Sequence, residues 1–309
     1  MHIVVTGGTG FIGRPLCAAL VQEGHRVTLL TRRKEEAHRL YGAAVTAVEW
    51  DGAETGAWEE TLEGADAVIN LAGAPIAEAR WTDARKRLLT LSRIRTTRLL
   101  VGAMSRRSSN PRLLISASGI GYYGSSDDHI LDETAPRGQG FLADLCLAWE
   151  AETLRAAEFG VRVVLLRTGM VLEQDGGALP KMVLPFRLFA GGPILPGTQW
   201  VSWIHRRDHI GLIQWLLTAP SITGPVNAVA PAAVRMNRFC EVLGQALHRP
   251  SWLPVPGFAL HLALGELGTL MTTGQRVHPA KALAGGYVFH YPTLEAALPA
   301  ILTKGRERT

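Results

Sequence analysis

The segment IVVTGGTGFIG, from Ile3 to Gly13, limits what this chain can fold into more than any other stretch. Ile3 to Val5 read as a buried strand that breaks into Gly7, Gly10 and Gly13, and a helical pattern follows from Arg14 to Glu23. Glycine lacks a Cβ, so the backbone can turn sharply from strand to helix and let a pyrophosphate lie close against it. The helix N-terminus then turns unpaired N–H groups and a positive dipole end toward the phosphates. Glycines alone would be an ordinary turn. Strand, glycines and helix in this order predict a dinucleotide site lined by Gly7, Thr9, Gly10, Phe11, Ile12 and Gly13.

Strand-like runs recur at Arg26–Leu30, Val45–Trp50, Ala67–Leu71, Leu113–Ser116 and Val161–Leu166, with helical stretches at Asp83–Met104 and Phe141–Glu158. The alternation predicts an α/β fold: a Rossmann-type, doubly wound parallel sheet covered on both faces. Ligands of such a sheet sit beyond the carboxyl ends of its strands. After Arg167, glycine and proline become frequent and long helices give way to loops. A helix at Asp208–Leu217, a strand at Val226–Val229 and a helix at Asn237–Leu247 read as a return to the first domain. Beyond Pro250, an apolar helix at Phe258–Leu270 suggests a smaller cap. The expected division is a nucleotide-binding domain, 1–167 with 205–248 returning to it, and a substrate-capping lobe of 168–204 and 249–305.

Composition excludes several classes. The 309 residues are 47% hydrophobic and 19% charged, an ordinary globular balance. Cys17, Cys146 and Cys240 are widely spaced and form no CxxC pair, which fits buried thiols rather than a disulfide framework or a zinc site. The chain enters its first strand at once, with no signal peptide in view. Phe258–Met271 is too short to span a bilayer and is interrupted by His261 and Glu266. A cytoplasmic location is expected, with no membrane partner.

The residues after the second strand bear on the cofactor. Thr31-Arg32-Arg33-Lys34 stands where a carboxylate would otherwise accept bonds from an adenosine ribose. Two guanidiniums there favour a 2′-phosphate, which arginine holds through bidentate, charge-assisted bonds; a solvated basic turn is the plainer alternative. NADP is the expected cofactor, with Thr31, Arg32 and Arg33 at its phosphate. Asp51, after the third strand, could accept from the adenine amine or simply form an Asp-Gly turn. Leu71, Ala72 and Gly73, after the fourth, would let the backbone approach pyrophosphate and ribose.

These motifs form a recognisable set. TGGTGFIG, NLAG, Ser116-Ala117-Ser118 followed by Tyr122-Tyr123-Gly124, LRTG at Leu166–Gly169 and Trp203-Ile204-His205 resemble the atypical, extended short-chain dehydrogenase/reductase superfamily. RW…SR at Arg80–Arg93, Trp149-Glu150, Gly176–Leu188 and GQRVHPAKALAGGYVFHYP at Gly274–Pro292 are similar to its epimerase-like subfamily, the nucleoside-diphosphate-sugar epimerase group with a C-terminal domain of unknown function. The resemblance implies an NADP-binding Rossmann fold with a substrate lobe, a small-molecule substrate and room for a homodimer.

The superfamily's usual chemistry pairs a serine or threonine with Tyr-x-x-x-Lys, the lysine lowering the tyrosine pKa. Here none of the tyrosines at 41, 122, 123, 287 and 291 has a lysine four residues on. Counting back from Trp149-Glu150, the two slots fall near Leu142 and Cys146. The serine survives: the resemblance implies Ser118 for the reacting oxygen, with Ser116 beside the cofactor. Tyr122 or Tyr123 could serve as a replacement acid, though an isolated phenol keeps a pKa of about 10 and suits hydrogen-bond donation better than base work. Lining the pocket is their plainer role.

Other clusters carry less. Asp83–Met104 is rich in arginine, yet the aromatic interleaving of a single-strand binder is limited to Trp81, so no nucleic-acid partner is expected. Trp81, just before this helix, and Arg93 within it stand out by resemblance. His205 and His209 sit four apart, but one ends a strand and the other begins a helix, so no metal is expected. The expected function is an NADP(H)-binding, epimerase-like oxidoreductase or isomerase acting on a small polar or nucleotide-linked carbonyl or alcohol. The alternative is a non-catalytic NADP(H)-binding protein that senses redox state.

Overall fold

In the computed structural model, which describes residues 1–303, the first half alternates strands and helices. It runs β1 (His2–Thr6), α1 (Gly13–Gln22), β2 (Arg26–Thr31), α2 (Lys34–Tyr41), β3 (Val45–Glu49), β4 (Ala67–Asn70), α3 (Asp83–Met104), β5 (Leu113–Gly119), β6 (Ile130–Leu131), α4 (Phe141–Leu154) and β7 (Arg162–Thr168). The second half is made of shorter pieces. They are β8 (Met170–Glu173), β9 (Gly176–Gly177), α5 (Leu179–Arg187), β10 (Trp200–Val201), β11 (Trp203–His205), α6 (Arg206–Thr218), β12 (Gly224–Ala228), β13 (Val234–Arg235), α7 (Met236–Leu247), α8 (Gly257–Leu264), α9 (Thr269–Thr272), β14 (Arg276–Val277), α10 (Ala280–Ala284) and α11 (Leu294–Thr303).

Seven parallel strands form the central sheet in the order β12-β7-β5-β4-β1-β2-β3. The order reverses between β1 and β4, so a crevice opens where their carboxyl ends diverge. This is the α/β Rossmann-type architecture that the alternation predicts. Both faces are buried, which is why the strands read as continuous apolar runs: Ile3 and Val5 point into one core with α1 and α6, and Val4 into another with α3.

A further core holds α5, α7 and α11, through Leu179, Phe186, Phe239, Leu243, Leu298 and Ile301. β12 pairs with β7 and α6 packs on the first core; α7, which the sequence reading groups with them, buries its apolar face against α5 and α11. The segment after Arg167 is also more ordered than a run of loops. It contributes α5 and a small sheet, β11-β8-β9. The expected helix Phe258–Leu270 is three pieces: α8, a 3-10 turn at Gly265–Gly268 and α9. Gly265 has φ +62, a left-handed value that ends α8 there. The expected Phe141–Glu158 helix closes at Leu154 and continues as a 3-10 turn to Phe159. Residues 304–305 of the expected cap lie outside the described residues.

Candidate cofactor and active site

The glycine loop occupies the crevice at the switch point. Gly7 has φ +72, and a Cβ there would lie 2.8 Å from the carbonyl of Leu71, so the loop after β1 and the loop after β4 touch backbone to backbone. At Gly13 a Cβ would come within 2.3 Å of the Gly7 carbonyl oxygen, which is how α1 starts so close to the loop. Gly10 donates to the Gly7 carbonyl at 3.0 Å. Ile12 caps α1 without a side-chain hydrogen bond, while the Arg14 N–H donates to the Gly10 carbonyl at 2.9 Å. Phe11 lies against Gly176 and Gly177 of β9 and under the Arg206 guanidinium, tying the loop to the second half of the chain. A cleft of about 500 Å³ adjoins the loop, lined by Thr9, Gly10, Phe11, Arg14, Tyr41 and Arg206 among others.

Arg32 and Arg33 follow β2 on the surface. The Arg33 backbone donates to the Thr31 hydroxyl at 3.0 Å, and its guanidinium donates to Thr9 Oγ1 at 2.9 Å while pairing with Glu36 at 2.7 Å. The basic turn is therefore brought against the glycine loop. Asp51 is exposed and accepts from the Ala53 N–H at 2.7 Å, a local Asp-Gly turn. Behind these loops lies a closed polar network. Thr6 donates to Asn70, the Ala72 N–H donates to Thr6, and the Asn70 amide donates to Thr97 and Ser116. Thr153 donates to the same Ser116 hydroxyl, which is wholly withdrawn from solvent. Ser116 thus holds β4, β5 and α4 together beneath the crevice.

Ser118 belongs to a second network that links β5, α4, β7 and β12. Its hydroxyl donates to Glu150 Oε1 at 2.7 Å. Arg167 grips the same carboxylate through Nε and Nη2, both at 2.8 Å, and the pair is almost fully buried. Burial opposes the charge on Arg167, yet its bonds to Glu150 outweigh that and hold the guanidinium above its ordinary range. Arg167 Nη1 also donates to the Tyr123 hydroxyl at 3.0 Å, and Tyr123 donates to Asn227 Oδ1 at 2.7 Å. Burial pushes Tyr123 up to about 12, against the pull of Arg167. The Tyr122 ring covers the guanidinium, with its centroid 3.4 Å from Cζ. Among the described residues the Tyr122 hydroxyl makes no hydrogen bond.

The slots of the usual Tyr-x-x-x-Lys pair are filled differently. Leu142 packs against Gly121, and Cys146 aims its thiol at the Gly119 carbonyl, 3.6 Å away. Burial pushes that thiol up to about 11, so it is no thiolate nucleophile. His205 accepts from the Arg207 N–H at the start of α6 and stacks on Tyr291, while His209 meets Thr168 at 3.0 Å. No group of three or more His, Cys, Asp or Glu side chains that could hold a metal occurs among the described residues. No described helix is long and apolar enough to cross a membrane.

Sequence reasoning missed Glu150, Arg167 and Asn227 as one unit. The available signal was an arginine inside the apolar run VVLLRTG and a glutamate inside an apolar helix, two charges that burial obliges to find each other.

Comparison with known proteins bears on this geometry. Residues 3–228 match the model of the NAD dependent epimerase/dehydratase family, and residues 255–301 match a domain of unknown function, DUF1731. The chain is 43% identical over 307 residues to the chloroplastic epimerase family protein SDR39U1 homolog of Arabidopsis thaliana, covering 98% of this chain and 87% of that one. It is 39% identical to the epimerase family protein YfhF of Bacillus subtilis, covering 98% of each. The structure of human epimerase family protein SDR39U1 with NADPH superimposes with a TM-score of 0.87 at 35% identity, covering 98% of this chain and 99% of that one. This chain belongs to the NAD dependent epimerase/dehydratase family.

Proposed function

We propose that this protein binds NADP(H) and acts as an oxidoreductase or isomerase on a small polar or nucleotide-linked carbonyl or alcohol. The observation that carries the cofactor is the placement of Arg33 against Thr9, which sets a guanidinium beside the glycine loop. The NADPH in the human relative of the same fold supports it. The residues fit the group. Gly7 and Gly13 let the loop fold tightly against the loop after β4 and the start of α1, which presents that helix end at the crevice. The Ile12 cap makes no side-chain hydrogen bond, and Arg32 and Arg33 offer forked donors to a 2′-phosphate. Asp51 and Leu71–Gly73 would flank adenine and ribose, and Ser116 would support that floor from below. When bound, the cofactor supplies or accepts hydride.

The polarity of the catalytic end follows from the Glu150 network. Ser118 spends its proton on Glu150, which leaves its lone pairs to accept from a substrate hydroxyl. Tyr123 likewise spends its proton on Asn227, so Tyr122 is the phenol left to donate to a carbonyl oxygen. Ser118, Tyr122 and Tyr123 are the proposed catalytic group in these roles. The filled slots at Leu142 and Cys146 favour a second reading, a non-catalytic NADP(H)-binding protein that reports redox state.

Titration of purified protein with NADPH and NADH, followed by fluorescence, tests the first step. We expect preference for NADPH, reduced at least tenfold when Arg32 and Arg33 are both replaced by Ala. Equal affinity for the two cofactors, or an unaffected double variant, would overturn the phosphate assignment. Hydride exchange with any substrate would then exclude the second reading.

A further inference from the structure

Arg93 is a buried charge outside the networks around Ser116 and Ser118. It lies on α3 with 8% of its surface exposed. Nη1 donates to the Leu89 carbonyl at 3.2 Å and Nη2 to the Ala74 carbonyl at 2.9 Å. Its guanidinium stands over Trp149, 5.2 Å from Cζ to the ring. No carboxylate pairs with it among the described residues. Arg167, equally buried, has Glu150, and Arg85 nearby has Glu78. A guanidinium carries five N–H donors, of which the two carbonyls use two. Withdrawing an unpaired charge from water is expensive, and two neutral carbonyls and a ring face offset only part of that cost. Burial accordingly lowers the Arg93 pKa to about 10.

Its position gives that charge a purpose. A Cβ on Gly73 would lie 3.0 Å from Arg93 Cζ, so the guanidinium is packed against the loop that follows β4, at the carboxyl edge of the sheet. On its other side is Trp149 of α4, whose chain neighbour Glu150 accepts from Ser118. Arg93 therefore packs on the loop assigned to the cofactor and on the α4 residue next to the one that holds the serine assigned to the substrate.

We propose that Arg93 is an oxyanion receptor, holding a phosphate or carboxylate group between the Leu71–Ala74 loop and Trp149. The inference rests on the proposed cofactor reading for one of its two sources: the oxyanion is either the cofactor's pyrophosphate or an anionic group on the substrate. A purely structural arginine would tether the loop through Ala74 and leave ligand affinity unchanged.

The test compares wild type with Arg93→Lys and Arg93→Gln. Two readouts are used: NADPH affinity, and the melting temperature of the NADPH-loaded protein in inorganic phosphate or acetate at constant ionic strength. If the anion is the pyrophosphate, R93Q weakens NADPH binding at least tenfold and R93K about threefold, since lysine keeps the charge without the planar fork. If it belongs to the substrate, NADPH affinity is unchanged, but phosphate or acetate raises the melting temperature of wild type and not of R93Q. NADPH binding equal to wild type, with no anion effect or an equal one, overturns the assignment while the cofactor reading stands. Should R93Q not fold, R93K decides alone, and affinities equal to wild type for both ligands overturn the proposal. Should wild type bind no NADPH, the cofactor reading fails, and the same anion melts on unloaded protein decide Arg93 by the same criterion.

Discussion

Glu150 accepts two bonds from Arg167 and one from Ser118 while all three side chains are buried, so removing its charge strands a guanidinium in a dry environment. Glu150→Gln is expected to lose about 3 kcal/mol of stability by that mechanism. Ser118→Ala leaves the ion pair whole and should lose about 1 kcal/mol, one hydrogen bond's worth. Urea unfolding of both variants at neutral pH checks the contrast, and equal losses would show that the buried pair does not dominate this centre. The same residues show where reading the sequence stops. Gly7, Gly10 and Gly13 could be placed because their function lies in local backbone geometry, and local geometry is written in adjacent positions. Glu150, Arg167 and Asn227 come from α4, β7 and β12, and nothing in their spacing says that the three side chains converge. The serine at 118 was legible, but its polarity was not. A hydroxyl at a strand end looks like a donor until a carboxylate 32 residues away is found to take its proton.

Elements were legible where capping and periodicity agree, and blurred where tertiary contacts set the boundary. α3 runs from Asp83 to Met104 as expected, because Thr82 caps it through the Arg85 N–H at 3.2 Å and its buried residues recur at helical spacing. β5 outruns its apolar stretch to Gly119 because β7 continues beside it, pairing Gly119 with Thr168. β7 and α6 are joined in turn by His209, whose Nε2 meets the Thr168 hydroxyl at 3.0 Å inside the protein. Burial lowers the His209 pKa from 6.5 to about 4, so the folded state keeps this ring neutral where the unfolded chain would protonate it. Between those two values the unfolded chain holds more protons, and acid weakens the β7–α6 junction as pH falls from 6.5 toward 4; above 6.5 the group contributes no slope. His209→Gln should shrink the stability lost between pH 7 and pH 4.5 by about 2 kcal/mol relative to wild type. Parallel denaturation curves at the two pH values would reveal an unchanged loss if the ring were already charged in the fold.

At the scale of the whole molecule, the question is what holds the C-terminal segments on the Rossmann sheet. Ala282, Tyr287 and Phe289 pack into the first core, but the polar part of the attachment uses single residues that no hydrophobic period marks. Glu133 accepts from the Asn227 N–H of β12 through one oxygen and from the Lys281 N–H of α10 through the other. Asp208, wholly buried in the first turn of α6, does the same for residues further on. Its Oδ1 accepts from the His290 N–H at 2.7 Å and its Oδ2 from the Tyr291 N–H at 2.9 Å, while its backbone carbonyl takes the Tyr287 hydroxyl at 2.8 Å. These bonds hold the segment just before α11, whose Leu294, Leu298 and Ile301 complete the core shared with α5 and α7. A carboxylate that accepts two backbone bonds cannot be copied by an amide, which must turn an NH₂ toward one of the two N–H groups. Asp208→Asn therefore leaves one part-buried donor without an acceptor, at a cost of about 1 kcal/mol. The loss should be local as well as global: hydrogen exchange at His290 and Tyr291 should accelerate severalfold while the amides of β1 and β4 stay as protected as in wild type. Uniform acceleration across the sheet would mean that the C-terminal segments and the Rossmann core unfold as one unit, and that Asp208 is no separate clasp between them.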